Sequence, residues 1–238
     1  MPWCAHSWKA NVMPPRELEG PAGRLEALLD EPTPAGTIGH DGRVARGFAN
    51  GIRAAVVLAH PHTGYGGTMH TKTVYQAAKA LSRIGCAVLR FNFRGAGSSA
   101  GSFTDGPGEM DDYRAALDYM EQQYPDAPLW AAGMSFGAWV AMTVGAEDPR
   151  VSTLIGIALP VNRYDFSAVE RSTKPKFFIQ GEFDEICPMK TLREFYARAA
   201  EPKEMVTIDS ADHLFDGKVG EVADAIEELL EDWPAAQG

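Results

Sequence analysis

The chain has 238 residues, 45% hydrophobic and 23% charged, which is enough apolar material for one large α/β core. A formal net charge of -10 excludes the strongly basic surface by which nucleic acids or anionic membranes are held, so neither is expected as a partner. The three cysteines, Cys4, Cys86 and Cys187, are odd in number and form no Cys-x-x-Cys pair, which excludes a disulfide framework and predicts a cytoplasmic protein.

In chain order, residues Met1 to Gly20 carry Lys9, Arg16, Glu17 and Glu19 among scattered prolines and lack the apolar run of a secretory signal. They read as a loosely structured extension. With Trp3 and Trp8 it is a candidate arm for packing on a second copy in a homodimer. Residues 21–238 then form a single domain, and no apolar run approaches a membrane span.

Leu25 to Leu29 reads as an edge strand, followed by a Pro- and Gly-rich turn region from Pro32 to Gly51 that holds at most one weak strand. The strong strands are Ala54–Ala59, Ala87–Phe91, Leu129–Ala132, Leu154–Ala158, Phe177–Ile179 and Met205–Ile208. Helical patterns lie between them at Thr71–Ile84, Met110–Gln123, Phe136–Ala146, Met189–Ala200 and Val219–Trp233. Continuous apolar strands alternating with helices predict a mostly parallel, doubly wound sheet in a three-layer α/β/α sandwich. Ligands of such sheets bind beyond the carboxyl ends of the strands.

At one of those ends stands Gly133-Met134-Ser135-Phe136-Gly137, between a short apolar strand and a helix with apolar residues around most of its surface. A nucleophile elbow needs this arrangement, because strand and helix approach closely only if the positions flanking the Ser are nearly bare. Ser135 is therefore the candidate nucleophile, with a helix N-cap as its other reading. Asp184 follows the strand Phe177–Ile179, and His213 follows Met205–Ile208, giving the chain order Ser, Asp, His. In that chemistry His213 takes the Ser135 proton and passes it to the leaving group, while Asp184 orients the imidazole and stabilises its cation. Glu182, Glu185, Asp209 and Asp212 are rivals for the acid, Asp212 being the one best placed to cap its loop.

A tetrahedral oxyanion needs two N–H donors, one of them from Phe136. The second should come from His60-Pro61-His62-Thr63-Gly64-Tyr65-Gly66-Gly67, and since Pro61 has no N–H the candidates are His62 and Thr63. His60-x-His62 also has the alternation of a strand-borne metal pair, yet no third ligand is evident beyond nearby His70; no metal and no cofactor are expected.

With these motifs on the page, the chain resembles the α/β-hydrolase superfamily from about Ala54 onward: His60-Pro61-His62, Phe93-Arg94-Gly95-Ala96-Gly97-Ser98-Ser99, the Ser135 elbow, Asp184 and Ala211-Asp212-His213. More narrowly it resembles small lidless bacterial serine hydrolases near the dienelactone-hydrolase and serine-esterase branches. The resemblance implies Ser135, Asp184 and His213 as triad and Phe136 with His62 or Thr63 as oxyanion donors. Two departures are His60-Pro61 where His-Gly is common, and Ser where dienelactone hydrolases use Cys.

The Arg94-Gly95-Ala96-Gly97 turn lacks the Gly-Lys-Ser/Thr ending of a nucleotide loop and reads as a cleft wall. Only about fifteen residues, Pro160 to Lys174, stand where larger relatives insert a lid, which predicts an open site for short acyl groups. Tyr65, Met134, Val161 and Leu214 are its candidate substrate-binding residues. The expected substrate is a small carboxylic ester. A thioesterase or peptidase with the same residues is the alternative, the latter needing an acid for the substrate ammonium from among Glu182, Asp105 and Glu109, and a non-catalytic binding protein is a more distant one.

Overall fold

The computed structural model describes residues 16–39, 42–46, 51–230 and 233. Eight strands form one sheet: β1 (Arg16–Gly20), β2 (Gly23–Asp30), β3 (Ala55–Ala59), β4 (Ala87–Phe91), β5 (Leu129–Met134), β6 (Val151–Ile157), β7 (Lys176–Gly181) and β8 (Lys203–Ile208). Their spatial order is β1-β2-β4-β3-β5-β6-β7-β8, with β1–β2 and β2–β4 antiparallel and every later pair parallel. Six helices connect them: α1 (Lys72–Arg83), α2 (Pro107–Gln123), α3 (Phe136–Glu147), α4 (Ser167–Arg171), α5 (Met189–Arg198) and α6 (Val219–Leu230). The architecture is the three-layer, doubly wound sandwich expected from the alternation of elements.

Strand pleating divides the core in two. Along β3, Ala55, Val57 and Ala59 join the apolar layer under α2, α3 and α5, where Tyr113, Leu117, Val140 and Phe195 are buried. Val56 and Leu58 join the opposite layer with Val74 and Leu81 of α1 and Val222 and Ile226 of α6. Both faces of β3, β4, β5 and β7 are buried from end to end, whereas the edge strand β8 is only partly covered.

Three sequence expectations are corrected. The extension boundary at Gly20 cuts through nothing loose: Arg16–Gly20 is a strand, closed on β2 by a hairpin across Pro21 and Ala22. Leu25–Leu29 is consequently not an edge, since β2 lies between β1 and β4. The extension upstream of residue 16, with Trp3 and Trp8, lies outside the described residues. In the Pro32–Gly51 region the only described pairing is an isolated Ile38–Val44 bridge. The second helix starts at Pro107 rather than Met110, because Pro suits the first helical position and Glu109 accepts the Gly106 N–H at 2.8 Å. No described helix is long and apolar enough to cross a membrane.

Candidate active site

β5 delivers the chain into Ser135, which has φ 55° and ψ -122°, a conformation that non-glycine residues seldom hold without support. The support is packing. A Cβ on Gly133 would strike the Gly137 carbonyl, and one on Gly137 would strike the carbonyls of Ala59 and His60. The Ser135 N–H is held by the Ile157 carbonyl at 2.8 Å. Its hydroxyl makes no capping bond to α3 and is 2.8 Å from His213 Nε2 instead.

His213 is 5% exposed and its Nδ1 lies 2.8 Å from Asp184 Oδ2. With Nδ1–H donating to that carboxylate, Nε2 is left as acceptor for the Ser135 hydroxyl. Asp184 is 4% exposed, and all of its acceptor capacity is engaged. Oδ1 takes the Ile186 and Cys187 N–H groups, both at 2.8 Å, and Oδ2 takes Gln180 Nε2 at 2.6 Å beside the imidazole. Gln180 is fully buried and its Oε1 also accepts the Leu159 N–H at 2.9 Å, so it ties the carboxylate to the end of β6. Sequence reasoning missed Gln180. The available signal was an amide that closes the otherwise apolar run Phe177-Phe178-Ile179.

Three of the four rival acids make other contacts. Glu182 accepts the Ser210 N–H, Glu185 faces the His213 N–H at 3.4 Å, and Asp212 caps its own loop through Leu214 and Asp216 N–H. Phe136 is the first residue of α3, where a backbone N–H has no intrahelical acceptor. Across from it a short 3-10 turn, Thr63–Tyr65, begins at His62, whose Nδ1 accepts the Gly64 N–H at 3.0 Å.

His60 has a different role from a ligand. It is fully buried, its Nε2 accepts the Phe93 N–H at 3.0 Å, and its Nδ1 donates to the Pro61 carbonyl at 2.6 Å. Burial outweighs that last bond and pulls the imidazole down to about 4, so the ring is neutral at neutral pH. Both nitrogens are consumed in joining the β3 loop to the end of β4.

The cleft above Ser135 has a volume of about 620 Å³. Ser135, Phe136, His62 and His213 line it, together with Tyr65 and Leu214, both of which are exposed. Thr63 is not on its wall. Two expected substrate contacts are corrected. Met134 is fully buried with Trp130 and Ala132, because the two-residue alternation of β5 persists to its last position and turns this side chain into the α1/α6 layer. Val161 packs on the other core layer, and its neighbours Pro160 and Tyr164 reach the cleft. Pro160 to Lys174 contains nothing larger than the five-residue α4, so this segment forms no lid over the opening.

Residues 52–231 match the model of a family described as an alpha/beta hydrolase domain. The chain belongs to the α/β-hydrolase family. This α/β hydrolase is 37% identical over 227 residues to an uncharacterized protein of Rickettsia prowazekii, the match covering 92% of this chain and 89% of that one. Among solved structures it is similar to an α/β serine hydrolase without lid from Xanthomonas campestris, with TM-score 0.82 and 33% identity over 94% of this chain and 96% of that one. A Coxiella burnetii α/β serine hydrolase homologue superposes with TM-score 0.81 and 31% identity, covering 91% and 97% of the two chains.

Proposed function

We propose that this α/β hydrolase cleaves short-chain carboxylic esters through an acyl-enzyme formed on Ser135. The observation that carries the reading is the continuous chain of bonds from Ser135 Oγ to His213 Nε2 and from His213 Nδ1 to Asp184 Oδ2, each 2.8 Å, at the floor of an open cleft. Ser135 Oγ attacks the ester carbonyl as its proton passes to His213 Nε2. The tetrahedral oxyanion is received by the Phe136 N–H and by an N–H of the facing turn, His62 being favoured over Thr63 because His62 lines the cleft. Collapse breaks the bond to the alkoxide, which leaves with the His213 proton. Water, deprotonated by His213, then attacks the acyl-enzyme and releases the acid and free Ser135.

In this role Asp184 balances the imidazolium, its carboxylate held in place by the Ile186, Cys187 and Gln180 N–H donors. An uncovered cleft of this size accommodates small acyl groups and gives a long chain no tunnel. The same residues serve thioesters and amides, which differ in the leaving group that His213 must protonate.

The test is hydrolysis of p-nitrophenyl esters from acetate to a long-chain acyl, by wild type and Ser135→Ala in parallel. Activity should peak at short chains and fall by roughly 10⁴-fold or more in the variant. A folded wild type that turns over neither these esters nor matched thioesters and amides, and resists a phosphonylating serine reagent, overturns the reading.

A further inference from the structure

The cleft carries three charged side chains that the hydrolytic chemistry leaves unused: Asp105, Arg163 and Glu185. Asp105 is the one built into place. It precedes Gly106, the residue before α2, and holds φ 57°. Its loop is fixed from behind, where Arg94 forks onto the buried Asp112 at 2.7 and 3.0 Å and Glu109 accepts from Thr104 and Gly106. Gly106 packs so tightly on the Trp139 ring that a Cβ there would collide with it. Asp105 thus sits on a rigid shelf, yet its side chain is 66% exposed, and its described ion-pair partner, His62 Nε2, is 3.6 Å away. That separation is beyond a good hydrogen bond, and with the Tyr164 hydroxyl as its other partner the carboxylate still has acceptor sites for a ligand.

Two aromatic side chains share the cleft lining with it. Tyr65 is 88% exposed on its glycine-flanked turn, touching the His62 ring at 4.8 Å. Tyr164 is stacked on Trp139 at 4.3 Å, and Trp139 is anchored by its indole N–H on the Asp165 carbonyl at 3.0 Å. Burial first, and then the charge of Asp105 on the same cleft lining, raise the Tyr164 phenol above its ordinary value.

We propose that Asp105, framed by Tyr65 and Tyr164, recognises an ammonium group on the substrate, so that the cleft selects cationic esters. The proposal rests on the hydrolase reading and narrows its substrate class. A carboxylate between aromatic faces attracts an organic cation twice, by charge and by the ring quadrupoles. Arg163 opposes it and is outweighed. It is an exposed, long side chain that loses rotamer freedom on meeting an anion, it faces two carboxylates on the same lining, and the whole chain carries -10. Of the other acids able to hold an ammonium, Glu182 is taken by Ser210 and Glu109 is buried in its loop.

The experiment compares kcat/KM for butyrylcholine with that for its uncharged tert-butyl isostere, in wild type, Asp105→Asn and Asp105→Glu. Wild type should favour the cation by roughly tenfold. Asp105→Asn should cut that ratio at least about fivefold, chiefly through KM, and Asp105→Glu should restore part of it. A wild-type ratio near one, a ratio unmoved by Asp105→Asn, or a preference for an anionic ester of matched length overturns the proposal. Calorimetric binding of benzyltrimethylammonium to Ser135→Ala separates the two readings. If no ester is hydrolysed but binding is present and weakened by Asp105→Asn, the hydrolase reading fails and the cation subsite stands; equal or absent binding in both backgrounds rejects the subsite.

Discussion

His60 and His213 are both buried histidines at the carboxyl edge of the sheet, both with two engaged ring nitrogens, and they do opposite things. The difference lies in the partners. His60 donates to one backbone carbonyl and accepts from one backbone N–H, neither of which can balance a positive charge, and burial lowers its imidazole to about 4. His213 donates to a carboxylate and accepts from a hydroxyl, so in the proposed reaction a proton taken up at Nε2 is balanced by the carboxylate on Nδ1. Burial alone therefore makes a histidine a structural rivet, and burial next to an anchored carboxylate equips it for proton transfer.

The largest effect should come from making His213 resemble His60. Asp184→Asn keeps the shape of the acid but removes the charge and, by donating its own N–H, favours the wrong imidazole tautomer; kcat should fall by about 10⁴, measured on the best p-nitrophenyl ester. A decrease below tenfold would mean that one of the rival acids carries the role.

Next in size is the effect of pH and substitution on His60. Its folded-state value of about 4 lies below the ordinary 6.5, so between these limits the unfolded chain binds the proton that the folded chain refuses. The stability held by neutral His60 is complete above pH 6.5 and is lost progressively as pH falls toward 4, by on the order of 3 kcal/mol. Guanidinium midpoints measured across that range should show this slope in wild type and a shallower one in His60→Asn. Parallel slopes would show that His60 is not the group responsible.

The smallest effect concerns how firmly the carboxylate is anchored. Gln180→Leu removes one of the N–H donors to Asp184 and leaves the imidazole contact in place, so kcat should decline by roughly tenfold, with KM little changed. An unchanged kcat would indicate that the Ile186 and Cys187 N–H groups suffice.

Much of this site is legible in the chain because its parts are local. Gly133 and Gly137 announce a close crossing of strand and helix, and Ser135, Asp184 and His213 each follow a recognisable strand. The misplacements arise where a weak local pattern, a strand's own alternation or a partner from another element decided the outcome. Arg16–Gly20 has a single apolar residue, Leu18, and becomes a strand only because β2 offers it a free edge. Met134 adjoins Ser135 in sequence, but the pleat sends it to the far core layer. Gln180 and the fixed loop carrying Asp105 depend on contacts with β6 and α2 that no local pattern announces.

By itself, then, the sequence determined the doubly wound architecture, the elbow and the order of the three polar residues, since these follow from periodicity, steric need and position at strand ends. Tertiary structure alone decided that His60 is a rivet, that the Asp184 carboxylate is anchored by Gln180 and that Asp105 is held out into the cleft. Each of those outcomes depends on which donors, acceptors and rings converge from separate elements, and on how much water is excluded where they meet.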